Sequence, residues 1–309
     1  MFFSLIKRLI VALITAFLVA ILSFAAVYFS PGNSAELLLS RGNPAMGYCV
    51  RTLELYAERL GLDQSLSTQL KNWLGGVLRG DFGISFKTGV PVLEEFTVRF
   101  RATFSLTLFA MAVMIAVGIS LGVISALFHN RFIDKLIRMF AVLNMSVPSF
   151  WMALLFLWVF ALTLRWLPPF GFQSFANLVL PGIVLGLGRS SSVIRITKSC
   201  ILEDMNRLHA TTARAKGLGE SAVLVCHVLK NVALPIITIC SMQLIGMLSG
   251  SMIIESIFGF PGIGNYLLTA VRMKDMPVIA GFVFLIGLMV IVINLLLEFL
   301  YLLIDPRVR

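Results

Sequence analysis

The sequence predicts an all-α membrane protein: six transmembrane helices, both termini on the inner side, an outer segment after helix one and a cytoplasmic elbow between helices four and five. Three observations carry this. The 309 residues are 59% hydrophobic and 13% charged, with a mean hydropathy of +0.95, which leaves too little polar surface for two soluble domains. Charge-poor runs recur near the length of about 20 residues that a helix needs to cross ~30 Å of hydrocarbon with every backbone polar group paired. The loop charges are also unevenly shared between the two sides.

The first span covers residues 9 to 29, follows Lys7-Arg8 and ends at Pro31-Gly32. Its basic start resembles a secretory signal, but the apolar run is too long and no small-x-small cleavage site precedes Pro31, so a retained anchor is expected. The second span covers 104 to 128, the third 139 to 164, the fifth 233 to 254 and the sixth 278 to 303. The fourth, 178 to 200, is the least apolar, because Arg189 and three serines sit in its middle. With the N-terminus inside and the lower half of span four counted with it, the inner side holds fourteen cations against five acids and the outer segments eleven against nine, with Glu298 inside span six. This bias accounts for the basic balance without nucleic acid.

Two connections are long. Residues 31 to 103 form the outer segment, and residues 203 to 232 form an inner loop rich in helix formers. Gly118 and Gly122, Gly182 and Gly186, and Gly246 and Gly250 are pairs one helical turn apart, read as close helix packing in lipid. The absence of an internal repeat weighs against an inverted-repeat secondary carrier.

Catalytic and metal chemistry find no support. "GDFGISFKT", Gly80 to Thr88, approaches a phosphate-binding loop, but Phe86 replaces the glycine required before Lys87. "GLGRSS" at Gly186 lacks the third glycine of a dinucleotide fingerprint. His129, His209 and His227 are scattered on inner loops and read as surface residues. Cys49 is alone outside, and Cys200, Cys226 and Cys240 show no disulfide or metal spacing.

The inner loop is the informative stretch. In "TTARAKGLGESAVLVCHVLKNVALP", residues 211 to 235, a short helix ends at Gly217 and Gly219, which break it. Ser221 is expected to cap a second helix that runs to Asn231 and stops before Pro235. This helix-turn-helix elbow fits two readings: a basic interfacial helix touching membrane lipid, or a docking element for a cytosolic partner.

The segments Thr212-Ala213-Arg214-Ala215-Lys216-Gly217-Leu218 and Leu229-Lys230-Asn231-Val232-Ala233-Leu234-Pro235 resemble the coupling loop of permeases from type I ABC importers, in the dipeptide, oligopeptide and nickel family. Lys230 stands where arginine is common. "SVPSFW" from Ser146, "WLPPFG" from Trp166, "ESIFGFPGIGNYLLTAVRMKDMPV" from Glu255 and the terminal "DPRVR" extend the resemblance along nearly the whole chain. It implies a permease in the bacterial cytoplasmic membrane, with residues 1–100 as first helix plus outer segment and 101–309 as a five-helix importer domain. It also implies a second homologous permease, two cytosolic ABC ATPases holding ATP and magnesium, and an extracytoplasmic solute-binding protein. This chain itself is expected to bind no cofactor, to hold no catalytic residues and to move a small peptide, nickel or a metal chelate. By the same resemblance, Thr212, Ala213, Arg214, Lys216, Gly217, Leu218, Gly219 and Glu220 seat in an ATPase groove. A channel or secondary transporter working without an ATPase is the alternative.

Polar residues within the spans are the expected pathway: Asn144, Ser146, Arg189, Ser190 and Gln243. For the serines and Gln243, helix-to-helix hydrogen bonding is an equal reading. Arg189 lies thirteen residues above Leu202, roughly 20 Å from the inner end and too deep to snorkel. Family members usually carry a small or apolar residue there. Glu298, about 7 residues from its own inner end, or ~10 Å, is a strained partner. Arg189 is therefore expected to face the cavity and favour a solute bearing carboxylates. The outer turn at residues 165 to 177 is short, which resembles the nickel and metallophore members more than the dipeptide ones.

Overall fold

The computed structural model describes residues 2–29 and 64–304, with side chains described over 10–29, 64–248 and 251–297. Among the described residues the secondary structure is helical, apart from an isolated bridge between Ile84 and Pro91. Five helices are long and apolar enough to cross a membrane, and a sharply bent pair brings the number to six if it counts as one span. The chain divides into two compact units, residues 1–101 with 265–298 and residues 102–264 with 299–309.

In the first unit, α1 (Phe2–Tyr28) exposes Leu13, Phe17 and Leu22, an apolar surface suited to lipid. The α2 helix (Leu66–Arg79) is capped by Ser65, which accepts from the Thr68 amide, and closes at Gly80 in the left-handed conformation. The Trp73 indole on α2 donates to the Ala20 carbonyl of α1 at 3.1 Å. The long α3 (Val92–Leu127) begins twelve residues before the expected second span. Its first turn meets α12 (Met276–Ile304) where Gly281 lies against Val92, and a Cβ at Gly281 would come within 2.7 Å of that side chain.

The phosphate-loop look-alike folds as a turn around an anion supplied by the chain itself. Asp275, almost fully buried, accepts from the Ser85 hydroxyl at 2.6 Å and from the Phe86 and Lys87 amides, each at 3.1 Å. The amides that would face a phosphate are thus taken by a carboxylate.

The second unit holds the rest of α3, then α4 (Phe132–Ser146) and α5 (Ser149–Phe156), which continues as a π-helical stretch from Leu157 to Thr163. Pro148 was expected to kink the third span, 139 to 164, or to start a helix within it, and α4 and α5 meet there at 101°. Pro148 is the cause: it has no N–H to donate and its ring excludes Val147 from the helical region, so Val147 is extended at φ −81°, ψ 125° and the chain restarts at Ser149.

Helix α6 (Phe175–Met205) starts on a capping box formed by Ser174 and Asn177. It packs against α3 at glycine contacts on both helices. Gly118 and Gly122 face Val193 and Thr197, while Gly182 and Gly186 face Phe109, the Ala110 carbonyl and Val113. The remaining elements are α7 (Leu208–Ala215), α8 (Glu220–Val223), a π-helical turn at Leu224–Val228, α9 (Leu229–Gly250), α10 (Met252–Ile257) and the start of α11 (Ile263–Met273). After α10 the chain folds back. Glu255, fully buried, accepts from Thr103 Oγ1 at 2.7 Å and Ser251 Oγ at 2.8 Å, and Thr103 Oγ1 in turn accepts from the Ile263 amide at 2.8 Å.

Candidate functional site

The elbow joins α6 to α9 and is built from residues 206 to 228. Arg207 precedes α7, whose Ala210 and Ala213 are buried while Thr212, Lys216, Leu218 and Glu220 face outward. Gly217 takes φ +84°, its amide donates to Arg214 O at 2.9 Å, and the Leu218 amide donates to Ala213 O at 3.3 Å. This is a Schellman closure, in which a left-handed glycine lets two amides turn back onto the last helical carbonyls. Gly219, by contrast, sits at φ −68°, ψ 156°, a conformation open to any residue, and only Gly217 requires its lack of a side chain.

Gly219 also stands at the N-cap of the next helix, which therefore starts at Glu220 rather than from a Ser221 cap. That helix does not stop before Pro235. It runs through the π-helical turn into α9, with Pro235 inside. A proline within a helix removes one backbone bond, and neighbouring helices keep such a segment intact in the membrane.

Arg214 ties the elbow together. Its Nε and Nη2 donate to the two carboxylate oxygens of Glu220, and its Nη1 donates to the Met205 carbonyl at 2.9 Å. The hydrogen bonds with Glu220 push the Arg214 guanidinium above its ordinary range. The Thr212 hydroxyl donates to Leu208 O within its own helix.

A second knot lies beside it. Asp204, at the buried end of α6, meets His209 Nε2 at 2.9 Å and accepts from Asn231 Nδ2 at 3.2 Å, and Asn231 also meets His209 at 3.1 Å. His209 is therefore half-exposed and held between α6 and α9, not a free surface histidine. The sequence offered a faint signal, since Asn231 belongs to the same Leu229-to-Pro235 signature.

The expected pathway residues divide. Asn144, Arg189 and Gln243 line one cavity of about 330 Å³ at the break between α4 and α5, together with Ser149, Ser192 and the apolar Met152 and Leu185. Asn144 donates to Ser191 Oγ at 2.9 Å and to the Leu187 carbonyl, holding the end of α4 on α6. Arg189 Nη2 donates to the Gly246 carbonyl at 2.9 Å, and Nη1 lies 3.5 Å from Gln243 Oε1. Ser146 and Ser190 are placed elsewhere: each bonds a carbonyl of its own helix, Val142 and Leu187, and neither lines the cavity. The serine that does line it on α6 is Ser192. The Glu298 side chain and Cys49 lie outside the described residues.

Comparisons with known proteins bear on this arrangement. Residues 118–309 match the family model described as binding-protein-dependent transport system inner membrane component, and residues 1–107 match the model for the N-terminal part of such components. The chain is 35% identical over 304 residues to the glutathione transport system permease protein GsiC of Escherichia coli, covering 98% of each chain. It is 36% identical over 303 residues to the same permease of Salmonella typhimurium, covering 98% of this chain and 97% of that one. The fold is similar to a solved inward-facing structure of the MetNI methionine ABC transporter, with a TM-score of 0.56 at 12% identity, over 69% of this chain and 97% of that chain. An elbow joining two helices of membrane length, a cavity lined in part by those same helices and matches along the full sequence converge: the chain belongs to the binding-protein-dependent transport system inner membrane components, the multi-pass permease subunits of ATP-driven importers.

Proposed function

We propose that the chain forms half of an import pathway with a second homologous permease, takes solute from an extracytoplasmic solute-binding protein and is driven by two cytosolic ABC ATPases. The carrying observation is the elbow. Its two short helices are tied to each other and to the end of α6 by Arg214, and to α9 by the Asp204–His209–Asn231 knot. A push on such an element is transmitted to α6 and α9, which pack against each other. Two discrete packings of the bundle, each favoured by one nucleotide state of the ATPases, then give alternating access. ATP and magnesium belong to those ATPases, and this chain contributes Thr212 to Glu220 as the docking surface. The exposed Leu208 and Leu218 give that surface an apolar tip suited to a groove.

The solute we favour is a small peptide or peptide-like molecule. Two similar permeases are named for glutathione, a tripeptide with two free carboxylates. Nickel or a metal chelate is the second reading, supported by the short turn before Phe175.

The test is affinity purification of the full chain from its native cell in mild detergent, with mass spectrometry of what stays bound. Recovery of a second permease and an ATPase pair, with the ATPases lost on Gly217→Val, supports the proposal. Recovery of the chain alone or as a homo-oligomer, under conditions that preserve known complexes, favours a channel or secondary carrier.

A further inference from the structure

We propose that the cavity beside Arg189 is a carboxylate-binding subsite of the translocation path, with Arg189 as its cation and Gln243 and Ser192 as neutral hydrogen-bonding walls. The proposal rests on the importer reading and names the chemistry its pathway selects.

Three features of the cavity support it. Arg189 presents five N–H donors; one is given to the Gly246 carbonyl and a second points to Gln243 Oε1 at 3.5 Å, so three are left for a ligand. Among the described residues no acid forms an ion pair with it. A guanidinium midway along a helix of membrane length, whose described partners are neutral dipoles, attracts a compact anion more strongly than the same group in water. A carboxylate matches its planar fork with two parallel bonds.

The walls agree with that ligand. Asn144 is committed to Ser191 and Leu187, which leaves Gln243 and Ser192 as neutral polar groups, while Met152 and Leu185 give an apolar side for the body of the solute. Ser149, the first residue of α5, also lines the cavity, so the positive end of that helix borders it. Gly246 makes room for the guanidinium, because a Cβ there would come within 2.8 Å of Nη1.

The position also suggests what binding does. Arg189 bridges α6 to a backbone carbonyl of α9, the two helices that frame the elbow. A carboxylate that draws the guanidinium away from Gly246 O weakens one bond between them. Occupancy is thereby linked to the packing that the elbow controls.

The experiment uses charged thiol reagents, so it needs neither the binding protein nor the natural solute. In the full chain in membrane vesicles, with Cys49, Cys200, Cys226 and Cys240 replaced by serine, Ser192→Cys puts one thiol in the cavity wall. Its reaction rates with anionic sulfonatoethyl and cationic trimethylammonioethyl methanethiosulfonate are compared, each relative to free 2-mercaptoethanol. The expected result is an anion preference of about tenfold or more, retained in Arg189→Lys and lost in Arg189→Gln. Gln243→Glu, which sets an acid beside an intact Arg189, erases it as well. Triglycine at millimolar concentration slows the anionic reaction, and triglycine amide does not.

An unreactive thiol, a ratio indifferent to Arg189, or equal protection by the acid and the amide overturns the subsite. If any of these occurs while the ATPases still co-purify, the importer reading stands and only the carboxylate subsite fails. If the preference is found without ATPases, the subsite stands and the importer reading fails.

Discussion

Arg214 grips Glu220 across the Gly217 turn with two near-parallel hydrogen bonds, Nε to Oε1 at 2.7 Å and Nη2 to Oε2 at 3.1 Å. Both side chains are partly exposed, at 34% and 58%, and exposed pairs contribute only about 0.2–1 kcal/mol. Their value for coupling is expected to exceed their value for stability. Glu220→Gln is predicted to move thermal unfolding in detergent by no more than about 3 °C, while ATP-driven uptake falls by about tenfold, a typical coupling energy between sites. Uptake that merely tracks the amount of folded protein would show that elbow rigidity is dispensable.

The two elbow glycines should behave differently. A Cβ at Gly217 meets nothing within 4 Å, so the penalty there is purely that of the left-handed backbone at φ +84°. Gly217→Val is predicted to cost about 1–2 kcal/mol and to release the ATPases, with Gly217→Asn milder. Gly219→Ser is predicted to be neutral or to stabilise by a few tenths of a kcal/mol, since serine is the better N-cap. Thermal unfolding together with ATPase retention on the purified chain reads both. A Gly219→Ser variant that loses its ATPases would show that the bare backbone at 219 is itself a contact.

Helix packing gives a sharper contrast. At Gly186 an added Cβ would sit 2.5 Å from the Ala110 carbonyl oxygen, a backbone atom with no easy retreat, whereas at Gly188 it meets nothing within 4 Å. Gly186→Ala is predicted to destabilise the chain by about 1–3 kcal/mol and to reduce monodisperse protein on size exclusion. Gly188→Ala should leave that profile unchanged.

Asp134 is fully buried at the start of α4 and accepts from the Ser125 hydroxyl at 2.6 Å, the Asn130 amide at 3.0 Å, Arg138 at 3.2 Å and Lys198 of α6. Removing one partner of such a pair leaves an uncompensated charge, so Asp134→Ala is predicted to cost about 3–5 kcal/mol. Adding Lys198→Met should restore part of this, measured by thermal unfolding of the single and double variants. A double variant no better than the single one would mean that the lost Ser125 and Asn130 bonds, not the unpaired lysine, set the cost.

Much of the fold was legible because lipid permits so few backbone solutions. A charge-poor run of membrane length has to be a helix, and α1, α3, α6, α9 and α12 each overlap an expected span. Glycine at 217 and proline at 148 act through their own backbone geometry, so a break at each was readable locally. The size of the Pro148 break, 101°, was not, because it depends on where α4 and α5 each find a packing surface.

The sequence by itself determined that this chain crosses a membrane several times, that Gly217 ends a helix in a polar loop, and that Arg189 sits at a depth where a charge needs a reason. Tertiary structure alone decided what those groups meet: Arg214 with Glu220 and Met205, His209 with Asp204 and Asn231, Arg189 with Gly246 in a cavity shared with Asn144 and Gln243. Helical periodicity places a residue on a face of its own helix, but its partner comes from a helix distant in the chain. In lipid, where hydrophobicity does not bring helices together, that pairing is settled by small residues and side-chain hydrogen bonds that only the packed bundle brings within reach.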